Sequence, residues 1–236
     1  MKLLRLSTFM TLAILGALAL AGVTSAAAQE PTPQDRVAAL KASLAASQTL
    51  LKQYEWIETT VLSLKGEEKS SLQNRCYYGA DGKVQKVPVG EPPAQEEKKK
   101  RGLKGKIVEK KKGEITEYMQ SAVELVKSYV PPDPARIQAS KEAGKVTVTP
   151  AGSAIGIDIR DYQKPGDSLS IKLDMAKNTL LGLTVNTWLK DDKDTINLKV
   201  AFGALDDGAL YAAETVLSAP SQSLEVKITN SGYKKL

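Results

Sequence analysis

The residues best equipped for chemistry are three acidic clusters: Glu67-Glu68, Asp191-Asp192-Asp194 and Asp206-Asp207. Paired carboxylates can act as acid and base across a cleft, or can hold calcium through oxygen. Each cluster falls in a stretch of turn composition, where Asp and Gly are expected for backbone reasons. Lys193 inside the second cluster, and the shortness of that turn, argue against a calcium loop. No spacing sets two carboxylates opposite each other. The chain has no histidine and a single cysteine, Cys76. That removes Ser-His-Asp and Cys-His catalysis, histidine-ligated metals, thiolate zinc and iron–sulfur clusters. No GxSxG, phosphate-binding loop or dinucleotide fingerprint occurs. The expectation is a non-catalytic protein with no metal and no cofactor. Only carboxylate or lysine chemistry is left for an enzyme. Cys76 cannot form an internal disulfide, and reads as a small buried apolar residue rather than a reactive thiol.

The formal charge of +6 is unevenly spread. Between Lys98 and Lys112 stand nine basic residues and one acid, Glu109. Lys98, Lys99, Lys100, Arg101, Lys104 and Lys106 open this run. It reads as a solvated insert at about 91–113, or as a charged extension of the helix that follows. An alternative is contact with an anionic membrane surface, where clustered Lys and Arg gain on the order of 1 kcal/mol per charge. No aromatics interleave with the lysines, which argues against nucleic acid.

Residues 1–28 read as a cleavable signal peptide. Lys2 and Arg5 make a positive start, Phe9 to Val23 is a short apolar run, and Ala26-Ala27-Ala28 offers small residues for cleavage. No Cys ends the apolar run, and no arginine pair precedes it. The expectation is a soluble, periplasmic or secreted chain without a lipid anchor, with 29–236 as a single domain.

The elements follow from periodicity. Thr32-Pro33-Gln34-Asp35 starts a helix to about residue 53, with Val37, Leu40, Leu44 and Leu51 on one face. Tyr54–Leu64 reads as a strand, Lys65-Gly66-Glu67-Glu68 as a turn, and 69–78 and 84–89 as returning strands. From Glu114 a helical period appears in Ile115, Met119, Ala122, Val126 and Tyr129. Asp133-Pro134 starts a shorter helix that Gly144 closes. Alternating strands then run to the end, for example Ile155, Ile157 and Ile159 against Asp158 and Arg160. So many one-sided strands and so few helices predict an α+β fold. Its core would be a strongly curved antiparallel sheet, a half-open barrel, with the helices in the concave face.

That element order resembles the LolA/LolB-like proteins, the outer-membrane lipoprotein-sorting carriers and their relatives. The points of likeness are a helix running into a strand at Leu51-Lys52-Gln53-Tyr54-Glu55-Trp56, a meander, a helical insert from Glu114 to Gly144, and a closing set of strands. Asp133-Pro134 and Tyr162-Gln163-Lys164-Pro165-Gly166-Asp167 look like marks of an uncharacterised bacterial relative. The resemblance implies an apolar cavity between sheet and helices, able to hold a lipid or acyl chain. Trp56, Tyr78, Tyr118, Met119 and Trp188 are the candidate wall. A monomeric carrier is expected, with an envelope scaffold whose core is filled as the alternative.

Overall fold

The computed structural model describes residues 33–90 and 103–236. Residues 1–28, read above as a signal peptide, and Lys98 to Arg101 lie outside the described residues. Helix α1 spans Pro33–Leu51. Strands β1 (Tyr54–Leu64), β2 (Glu67–Tyr78) and β3 (Val84–Pro88) follow. Helices α2 (Leu103–Lys127) and α3 (Pro134–Glu142) come next. Seven more strands complete the chain: β4 (Val146–Ala151), β5 (Ala154–Arg160), β6 (Ser168–Asp174), β7 (Thr179–Trp188), β8 (Thr195–Ala204), β9 (Leu210–Ala219) and β10 (Leu224–Lys235).

All ten strands form one antiparallel sheet, ordered β3-β2-β1-β10-β9-β8-β7-β6-β5-β4. This is a meander cut open between β3 and β4, where α2 and α3 make the connection. The sheet is curved but not closed, so the fold is α+β with a half-open barrel. The first and last strands pair inside the sheet rather than at its rim. Tyr54 pairs with Lys235 and Leu64 with Leu224, and the Leu236 N–H donates to the Gln53 carbonyl at 2.7 Å.

Local chemistry explains the joints. β1 and β2 are joined by two residues only, Lys65 and Gly66, both with positive φ (57° and 78°). Such a turn matches the right-handed twist of the strands it links. Glu67 and Glu68, expected in the turn, therefore already pair with Leu64 and Ser63. At α3 the Asp133 carboxylate caps the helix by accepting the Ala135 N–H at 2.9 Å, and Gly144 ends it at φ 68°.

The core lies on the concave face. Met119, Ala122, Val126 and Tyr129 of α2 and the segment after it pack with Ile137 of α3 onto the inward side chains of β5–β10. Those include Ile157, Ile159, Leu169, Val185, Leu198, Leu217 and Val226, all buried. This part of the trough is packed solid by side chains.

One loop anchors α2. Asp167 is 2 % exposed, yet its Oδ2 accepts the Tyr129 hydroxyl at 2.5 Å and the N–H groups of Gln163 (3.1 Å) and Lys164 (3.0 Å). The Tyr129 proton goes to that carboxylate, so Thr187 Oγ1, 2.8 Å away, donates to the phenol oxygen. The buried charge is thus offset by three donors, as a buried carboxylate requires. The Tyr162-to-Asp167 stretch singled out in the sequence is this structural clamp.

Several tyrosines are held neutral. Burial, then hydrogen bonding to Asp194, pushes the Tyr118 phenol up to about 12. Burial also raises Tyr129, Tyr162 and Tyr233, while a hydrogen bond to Asp207 raises Tyr54. A raised folded value means that stability is intact below the ordinary tyrosine value of about 10 and is lost as pH rises through the folded values. Tyrosinate absorbance is expected to show partial early ionisation, followed by a step coincident with unfolding. Eight tyrosines titrating together near their ordinary value would contradict this.

Candidate functional site

Open space on the concave face is found at the other end of the trough, beneath the C-terminal turns of α1. It is a pocket of about 50 Å³, lined by Trp56, Tyr78, Phe202, Tyr211 and Tyr233 together with aliphatic and polar side chains. Leu51 and Gln48 of α1 form its roof, and Glu58, Thr215 and Asn230 are the polar groups of its wall.

The aromatic wall is built by pairing and by one bulge. Inward side chains of β1 alternate through Trp56 and Glu58, and Trp56 stands opposite Cys76 of β2. On β10 the inward set includes Val226, Ile228 and Asn230. Alternation alone would then bring Gly232 inward. Between the pairs Ile57–Ser231 and Glu55–Lys234, Trp56 instead faces two residues, Gly232 and Tyr233. Gly232 takes φ 63°, a conformation that glycine adopts without steric cost. This two-for-one bulge turns Tyr233 onto Trp56. The rings stack at 5.6 Å with 13° between planes. Tyr211 reaches Tyr233 at 4.4 Å and Tyr78 reaches Trp56 at 5.8 Å. Gly203, paired with Tyr211, leaves that ring its place: a Cβ there would stand 3.0 Å from it.

Polar groups fix the wall. Trp56 Nε1 donates to Asn230 Oδ1 at 3.1 Å, and Asn230 Nδ2 donates to the Ala212 carbonyl at 2.8 Å. Below them lies a buried ion pair. Lys86 Nζ is 2.8 Å from both carboxylate oxygens of Glu58, and the two side chains are 9 % and 5 % exposed.

Cys76 is fully buried beside this pair, and burial pushes its thiol up to about 12. The thiolate is the reactive form, and its population at neutral pH falls about tenfold for every pH unit by which the pKa rises. Thiol reagents at neutral pH are expected to modify the native protein about a thousand-fold more slowly than the unfolded chain. Comparable rates in the two states would contradict this placement.

The described half of helix α1 packs on the sheet through a short row of side chains. Leu44 and Leu51 are buried, and the Leu210 N–H donates to Ser47 Oγ at 3.0 Å. Side chains of Val37 and Leu40 lie outside the described residues.

The five candidate wall residues divide. Trp56 and Tyr78 meet at the pocket. Met119 is 1 % exposed inside the packed α2 core. Tyr118 donates to Asp194 Oδ1 at 2.6 Å, away from the pocket. Trp188 lies on the face of β7 opposite buried Val185 and Thr187, because alternation sends it outward. There Lys164 Nζ sits 3.6 Å from the ring centroid and donates to the Trp188 carbonyl. Glu58 and Asn230 join the site on the inward parity of Trp56 and of Ile228, whereas Tyr211 and Tyr233 join it without a signal in the periodicity that would select them.

Two of the three acidic clusters serve as turns, while Glu67-Glu68 lies at the start of β2. Asp191 Oδ1 accepts the Lys193 and Asp194 N–H groups at 2.9 and 3.2 Å, and Asp207 Oδ1 accepts the Ala209 N–H at 3.2 Å. Among the described residues no group of three or more acidic, cysteine or histidine side chains could hold a metal ion. No helix among them is long and apolar enough to cross a membrane.

No family model matches the chain, and no curated protein matches it. Among solved structures it is similar to a DUF1329 family protein from Desulfovibrio piger, at 10% identity and a TM-score of 0.40. The match covers 84% of this chain and 92% of that one. At that distance no residue role passes from one protein to the other.

Proposed function

We propose that the protein is a non-catalytic binding or carrier protein of the cell envelope, which holds a lipid-like or acylated ligand in the aromatic part of the trough. The supporting observation is the pocket beneath α1. There the concave face is left open, and its lining of five aromatic rings with aliphatic side chains suits an apolar ligand with a small polar end. In this reading the leader exports the chain, and the mature protein works in the periplasm or outside the cell.

The volume sets a condition. About 50 Å³ holds a few water molecules. Sites for drug-sized ligands run from roughly 300 Å³ upward. An acyl chain therefore enters only if α1 moves off the sheet, a motion that exposes Leu44 and Leu51 and breaks the Leu210–Ser47 hydrogen bond, so ligand binding must offset that cost. The second reading, an envelope scaffold without a ligand, draws on the solid packing of the rest of the trough.

Trp56 reports directly on the site. In a Trp188→Phe variant it is the sole tryptophan. Titration with fatty acids and lysophospholipids is expected to shift its emission. At a hundredfold excess over Kd the ligand adds about 2.7 kcal/mol, which raises Tm by several degrees. Unchanged emission and unchanged Tm across the series would favour the scaffold.

A further inference from the structure

Helix α2 does not end where its buried face ends. Val126, Ala122 and Met119 lie along one side of the helix at three- and four-residue spacing, and all three are buried. Four residues before Met119, Ile115 is half-buried; four before that, Lys111 is exposed. Lys110 and Glu114 are 79% and 61% exposed and only loosely paired, at 3.8 Å. Around Gly113 the space that a Cβ would fill is empty to 4 Å. The helix has thus left the sheet by residue 114, and it continues back to Leu103, roughly 17 Å further at 1.5 Å per residue. Lys104, Lys106, Lys110, Lys111 and Lys112 belong to this segment, immediately after Lys98 to Arg101 in sequence.

We propose that the N-terminal part of α2 is an arm that docks the protein on an anionic phospholipid surface. Three features of the chain select that partner. The charge is segregated: the run from Lys98 to Lys112 is strongly basic, while the rest of the chain after residue 28 carries an acidic excess. An anionic bilayer therefore attracts the arm and repels the body, which sets an orientation. Leu103, Ile107 and Val108 interleave with the lysines in the sequence. Apolar residues within a basic helix suit a lipid interface. The absence of aromatic residues among the lysines removes the stacking that single-stranded nucleic acid would use. The arm acts independently of any ligand in the pocket.

Vesicle co-sedimentation tests this with the chain from Gln29 onward, which holds every described helix and strand. The vesicles are phosphatidylethanolamine with or without phosphatidylglycerol. Binding is expected only to the phosphatidylglycerol vesicles, at low ionic strength, and is lost in high salt. Lys104→Gln, Lys106→Gln, Lys110→Gln, Lys111→Gln and Lys112→Gln together are expected to weaken it at least about 100-fold. Circular dichroism and Tm of that variant should match the parent, since the segment lies off the sheet. No binding of the parent to anionic vesicles overturns the proposal. So does a loss caused by neutralising Lys98 to Arg101 while the five α2 substitutions leave binding intact.

Discussion

Lys86→Met is expected to destabilise the protein by about 3–5 kcal/mol, because it strands a carboxylate in a buried place. Lys86 is the counter-charge to both oxygens of Glu58, and neither side chain has more than 9 % of its surface in water. Removing one member leaves the other desolvated and unpaired. Removing both does not: Glu58→Met with Lys86→Met is expected to lie within about 1 kcal/mol of the parent, or above it. Urea unfolding followed by tryptophan fluorescence measures both variants against the parent. Lys86 sits on β3, which pairs with β2 alone at the open edge of the sheet. Hydrogen exchange should therefore show β3 opening first in the single variant. A single variant as stable as the double one would show that the pair is solvated in practice.

Asp167→Ala is expected to cost about 3 kcal/mol, since it leaves one buried and two part-buried donors without their acceptor. These are the Tyr129 hydroxyl and the Gln163 and Lys164 N–H groups. Tyr129→Phe removes one of those donors and leaves the carboxylate its two backbone partners, so its cost should be nearer to about 1 kcal/mol. The pair of values, from the same urea experiment, separates a clamp from an incidental contact. Equal costs would mean that the phenol, not the carboxylate, organises the loop. Because the clamp ties α2 to the turn before β6, its loss should loosen α2 and leave α1 in place.

Much of the fold is readable from the sequence where one side-chain period holds. The caps at Asp133 and Gly144, the inward rows of β5 to β8, and Trp56 on β1 all follow from spacing and turn chemistry. The strand 210–219 does not read as one. Its row passes through Ala212 and Ala213, and a bulge opposite Ala201 and Phe202 shifts its register. Tyr233 is hidden for the same reason, since the bulge at Gly232 reverses the face that alternation assigns; Gly232 just before an aromatic residue is the signal that points to it. Trp188 shows the opposite error: a large aromatic on a strand suggests a cavity wall, although its parity with Val185 sends it outward. The start of α2 at Leu103, rather than at Glu114, shows that a basic helix with few apolar residues gives little periodic sign of itself. Helix 103–127 is nonetheless continuous, because the packed half supplies the nucleus and lysine is a good helix former.

The central proposal turns on whether the aromatic pocket beneath α1 opens to receive an apolar ligand. Native mass spectrometry of the protein purified from the envelope fraction of its own cells, under conditions that keep it folded, decides this most directly. The proposal predicts a protein–lipid complex in the parent and its loss in a Trp56→Ala, Tyr233→Ala variant that remains folded. Bare protein in the parent spectrum, or lipid retained in full by that variant, would contradict it.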